Sequence, residues 1–81
     1  MRVRVLAFAR VREVLDASEL QLDLAEGSTA RDAWNVLAQR ASGLAEYRDS
    51  TRLACNGRIV APQQPLNEGD ELALLPPAGG G

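Results

Sequence analysis

The stretch from residue 28 to residue 43 constrains this chain more than any other. Ala30, Ala33, Trp34, Leu37, Ala38 and Ala41 recur at i, i+3, i+4, i+7, i+8 and i+11, which is one face of an α-helix. Ser28-Thr29 with Asp32 marks its start, with a hydroxyl to cap orphan N–H groups and an acid in the first turn. Its end is predicted near Ser42-Gly43, with Gly43 as a left-handed cap. A single helix cannot bury an apolar stripe on itself, so the remaining residues must supply the covering layer. In a chain of 81 residues that layer belongs to the same single domain. A domain this size buries only roughly 60–65% of its unfolded surface, so its stability is modest.

The covering layer reads as short strands. Along residues 1–9, Val3, Val5, Ala7 and Ala9 fall on one face, small and β-branched as a core under a helix requires. Arg2, Arg4, Leu6 and Phe8 take the other, polar at first and apolar at its end. Residues 10–16 carry Val11, Val14 and Leu15 at i, i+3, i+4, a short helix. Residues 19–24 alternate, with Leu20, Leu22 and Leu24 inward. After the long helix, residues 44–50 form an irregular connector. Residues 51–55 and 58–60 are strands joined by Asn56-Gly57, a type I′ turn signal. Pro62 ends the second, Pro65-Leu66 begins a short turn, and residues 67–70 lead tightly into a last strand at 71–75. The order is β, short helix, β, long helix, β-turn-β, loop, β. This is the α+β β-grasp plan: a mixed sheet of about five strands, the long helix across one face, and the last strand parallel to the first.

Composition excludes more than it selects. The net charge of −2 gives no basic footprint for nucleic acid. No apolar run is long enough for a membrane span. Met1-Arg2-Val3-Arg4 reads as the start of a strand, because Arg10 and Arg12 interrupt the apolar run an export signal needs. All nine basic residues are arginine, so no lysine side chain is available for an isopeptide or a Schiff base. Histidine is absent, which removes the commonest general base and metal ligand. The one cysteine, Cys55, sits in the inward set with Leu53 and reads as a buried, inert thiol, which fits a reducing cytoplasm. The carboxylates are scattered, so no catalytic site is expected inside this chain.

Two features carry chemistry. The chain ends Pro76-Pro77-Ala78-Gly79-Gly80-Gly81. Two prolines stop strand pairing and stiffen the exit, and the glycines make a thin thread that reaches about 20 Å when extended. Residues 1–75 are thus expected to form the domain and 76–81 a flexible tail. A carboxylate is a poor electrophile, but adenylation supplies an AMP leaving group, and attack by sulfur then yields a thiocarboxylate. A glycine at the end admits the group to a narrow channel. The second feature is the sheet face away from the helix. Leu6, Phe8, Ile59, Ala73 and Leu75 gather there as an apolar patch for a partner, with Arg10, Arg12 and Arg58 expected at its rim.

These residues resemble the MoaD-like small subunits of molybdopterin synthase, sulfur carriers of the ubiquitin-like β-grasp group. The likeness spans the chain and rests on Phe8-Ala9-Arg10-Val11-Arg12-Glu13, Asn56-Gly57, Pro65-Leu66-Asn67-Glu68-Gly69-Asp70-Glu71 and the Pro-Pro-x-x-Gly-Gly ending. It implies that an E1-like adenylyltransferase activates Gly81 with ATP and that a desulfurase or rhodanese system supplies sulfur. It implies docking on the synthase large subunit, with Gly79 and Gly80 carrying Gly81 into that subunit's active site. There the sulfur passes to cyclic pyranopterin monophosphate, a step of molybdenum cofactor biosynthesis. It further implies a heterotetramer, with ATP, magnesium and the pterin precursor bound by partners and no cofactor on this chain. Members often carry an aromatic residue before the prolines; here Leu74 and Leu75 stand there. Carriers for thiamine or tRNA thiolation share the Gly-Gly end, although thiamine carriers are usually shorter and lack the helix between the first two strands. A ubiquitin-like protein modifier is also compatible.

Overall fold

A computed structural model describes residues 1–77. In chain order the elements are β1 (Arg2–Ala7), α1 (Ala9–Leu15), β2 (Glu19–Asp23), α2 (Ala30–Arg40), a 3₁₀ helix (Ser42–Tyr47), β3 (Arg52–Cys55), β4 (Arg58–Val60) and β5 (Glu71–Leu75). The strands form one sheet in the order β2-β1-β5-β3-β4. β1 and β5 are parallel at its centre, and every other pairing is antiparallel. This is the β-grasp arrangement that the element order predicts. Gly79, Gly80 and Gly81 lie outside the described residues.

Alternation decides which side of each strand meets α2. Val3, Val5 and Ala7 of β1, Leu72 and Leu74 of β5, Leu53 and Cys55 of β3 and Leu22 of β2 are buried in one cluster with Ala30, Ala33, Trp34 and Leu37 of α2. Trp34 is a core anchor, 3% exposed. Among the described residues no polar or charged side chain is buried, so apolar packing alone fills the interior.

The start of α2 is secured three ways. Thr29 Oγ1 accepts from the Asp32 N–H at 3.2 Å, and the Asp32 carboxylate accepts from the Thr29 N–H at 2.9 Å, a reciprocal capping box. Two further orphan N–H groups, of Ala30 and Arg31, donate to the carbonyls of Gln64 and Pro62 at 2.9 and 2.8 Å. The segment before β5 therefore finishes the helix as well as leading into the strand.

Three expectations need correction. β1 ends at Ala7, and Ala9 is exposed instead of inward, with a left-handed φ of 53° as α1 begins. α2 ends at Arg40 without a left-handed glycine: Ala41 is extended and its N–H still donates to Leu37 O at 2.9 Å. The connector after it is a 3₁₀ helix instead of irregular chain, and it tucks Leu44 fully into the core. Burying Leu44 requires the chain to turn at once, which a glycine-capped overshoot would prevent. Gly43 lies within that 3₁₀ helix, close enough to α1 that an added Cβ would meet Val14 at 3.5 Å. The left-handed cap occurs instead at Asp16, after α1, with φ 55°.

Candidate functional site

The parallel pairing of β1 and β5 brings the two candidate features together. Ala7 lies opposite Leu74 in register, so both strands finish at the same edge of the sheet. Phe8 follows the first and Pro76 the second. The root of the tail therefore leaves beside Phe8, which is 43% exposed.

The open face is graded along the strands. Arg4 and Glu71 face each other across β1 and β5 and form an ion pair. One step further, Leu6, Ala73, Ala54 and Ile59 stand in a single row across four strands. At the spacing of paired strands that row is about 14 Å wide. Leu75 opposite Arg52 makes the next step, at the edge where the tail departs. Leu6, Ala73 and Leu75 are half-buried by their neighbours, while Ile59 is 54% exposed. Leu6, Ile59 and Leu75 thus share one face, with Phe8 at its corner.

The arginines are distributed differently from the expectation. Arg58 lies opposite Cys55, so strand alternation sends it to the helix side, away from Ile59. Arg12 borders a separate depression on α1 with Glu13 and Asp16. Arg10 stays beside Phe8 and pairs with Glu13 at 3.2 Å. Arg52 is the basic residue on the open face that the sequence reading passed over. The signal was present, because the alternation that puts Leu53 and Cys55 inward puts Arg52 outward.

At the root of the tail, exposed Pro76 and Pro77 border an open cavity of about 170 Å³. Phe8, Ala9, Val11, Tyr47 and Thr51 line it with them. That volume is below the roughly 300 Å³ at which cofactor pockets begin.

At the opposite end of β5 a polar corner holds the strand's entry. Asp70 accepts from Asn56 Nδ2 at 2.9 Å and from the Asn67 N–H at 2.7 Å. Asn56 Oδ1 in turn accepts from the Glu71 N–H at 2.9 Å. Asn56 and Gly57 have φ of 51° and 86°, the doubly left-handed type I′ turn predicted for them. Cys55 Sγ donates to Asp70 at 3.6 Å; burial, reinforced by the Asp70 charge, pushes this thiol up from its ordinary pKa. The cysteine is therefore a protonated, buried side chain of the corner, as the sequence predicts.

The ThiS family model matches residues 5–81. The chain is 33% identical to the molybdopterin synthase sulfur carrier subunit of Arabidopsis thaliana, over all of this chain and 84% of that one. It is 35% identical to the subunit of the same name from Escherichia coli, over 98% of this chain and 99% of that one. Among solved structures, the small archaeal modifier protein 1 of Haloferax volcanii superposes with a TM-score of 0.82 at 27% identity, over 95% of this chain and 98% of its own.

Proposed function

The chain belongs to the ThiS family, and from that premise we propose that it is the sulfur carrier and small subunit of a molybdopterin synthase. The observation that carries this reading is that the family match runs through residue 81, so it includes the Gly80-Gly81 ending and not only the folded body. The relatives named above as sulfur carrier subunits support it along essentially the whole chain.

The chemistry follows from the terminal carboxylate. A carboxylate oxygen of Gly81 attacks the α-phosphorus of ATP on an E1-like enzyme, and pyrophosphate leaves. A persulfide from a desulfurase or rhodanese attacks the acyl adenylate and AMP leaves; a second thiol then attacks the donor's sulfur in the acyl disulfide, which forms a disulfide with it and releases the thiocarboxylate. The charged carrier seats its open face on the large subunit and passes sulfur from Gly81 to the pterin precursor held there. The folded body acts as a grip, with Phe8, Leu6, Ile59 and Leu75 as its apolar contact.

Intact-mass measurement after incubation with the activating enzyme, ATP and a sulfur source tests this. The expected result is a gain equal to exchange of one oxygen for one sulfur. Removal of Gly80-Gly81 is expected to abolish the gain with the fold intact, since Leu74 is the last fully buried residue among those described. An unchanged wild-type mass would overturn the reading. The similarity to an archaeal modifier protein supports a second use, conjugation to other proteins. Having no lysine, the chain would supply only the acyl side of such isopeptides, and conjugates in a lysate with ATP would reveal it.

A further inference from the structure

Strand alternation places three arginines on the open face: Arg2 and Arg4 of β1 and Arg52 of β3. The first two are paired within the chain. Arg2 Nε donates to Asp23 at 3.1 Å, and Arg4 donates to Glu71 across the parallel strands. Glu19, opposite Leu6, adds a further acid on the same face. The part of the face around β1 is therefore neutralised from within. The part on β3 and β4 is not. Arg52 is exposed and has no carboxylate partner among the described residues. It lies opposite Leu75, with Ala54 and Ala73 next on that face, so its neighbours there are apolar. Beside it is an open depression of about 170 Å³ lined by Thr51, Arg52, Leu53, Ile59, Val60 and Pro62. Arg52 is the one charged residue among these six.

We propose that Arg52 is the charge anchor of docking, and that the large subunit meets it with a carboxylate side chain set among apolar groups. A surface that covers Leu75 and Ile59 also covers Arg52, which lies opposite the first and shares the depression with the second. Water then leaves the guanidinium, and a cation stripped of water without a counter-charge opposes binding. A carboxylate meets the planar guanidinium with two parallel hydrogen bonds, a match that a hydroxyl or a carbonyl does not make. Because the uncompensated positive charge lies on the β3 side alone, the same contact fixes which way round the partner sits. The inference rests on the sulfur-carrier reading and deepens it: the apolar row supplies contact area, and Arg52 supplies orientation and partner choice.

The test measures binding of the full chain to the large subunit of the same source by surface plasmon resonance, at about 50 and about 500 mM NaCl. Arg52→Gln is expected to raise Kd about tenfold at low salt, mostly through faster dissociation, and Arg52→Glu about a hundredfold. Arg52→Lys is expected to fall between wild type and Arg52→Gln, since it keeps the charge and loses the fork. High salt is expected to weaken the wild type more than Arg52→Gln, a difference that lost packing alone would not produce. Arg58→Gln removes the same charge from the other side of the sheet and is expected to bind as the wild type does. If Arg52→Glu does not fold, Arg52→Gln decides. Wild-type affinity in Arg52→Gln, an equal loss in Arg58→Gln, or the same salt dependence with and without the Arg52 charge overturns the anchor and leaves the carrier reading standing. A wild type that does not bind the large subunit at all overturns the carrier reading, and the anchor with it.

Discussion

At the scale of single residues, Asp70 is a titrating group tied into the fold through the corner at the entry of β5. The hydrogen bond from Asn56, followed by that from the Asn67 backbone, holds its carboxyl below the usual carboxylate range. A carboxyl with a depressed folded pKa adds stability above its unfolded value near 4, and that contribution disappears as pH falls through the folded value. Wild-type stability is therefore expected to drop between about pH 5 and pH 2 more steeply than that of Asp70→Asn. Urea melts across that range would show it; parallel curves would mean that the corner is electrostatically idle. Asn56-Gly57 was legible because few residues tolerate two successive positive φ values. Ala9 was not, because alanine carries no turn preference and its conformation is imposed by the junction of β1 and α1. Arg58 was misplaced for a related reason: three residues of strand give too little alternation to fix a face from sequence alone.

At the scale of elements, α2 shows why helix starts are easier to read than helix ends. Its start is written in the side chains of Thr29 and Asp32, which bond within four residues of one another. Thr29→Ala is expected to cost about 1 kcal/mol, or roughly 4–8 °C in Tm for a domain of this size, measured by calorimetric or circular dichroism melting. The loss is expected at the lower end if the carbonyls of Pro62 and Gln64 keep the first turn in place. The helix end was decided by tertiary packing, since Leu44 had to reach the interior, and nothing local around Gly43 announced that. The 3₁₀ helix was missed for the same reason: its sequence has no periodic stripe, only Leu44 inward and Tyr47 against the core.

At the scale of the whole molecule, the sheet separates a packed face from an apolar open one. One face carries the interior under α2, and the other carries an apolar row ending at the edge where β1 and β5 finish. Both faces were legible because strand alternation is a two-state code and the two central strands keep it. Phe8→Asp and Ile59→Asp are therefore expected to weaken binding to the large subunit by more than tenfold while moving Tm by only a few degrees, since exposed substitutions rarely cost more than about 0.5 kcal/mol. Titration calorimetry with unchanged affinity would remove the open face from the interface. The strand order has one more consequence, for biosynthesis. β1 with β2 and β3 with β4 are two neighbouring pairs that share no partner except β5. The last strand translated is the one that joins them. A chain that stops before residue 71 therefore lacks the strand that joins the two pairs and leaves them unconnected. A copy whose sheet has closed has therefore been translated at least into β5, the strand from which residue 76 onward continues.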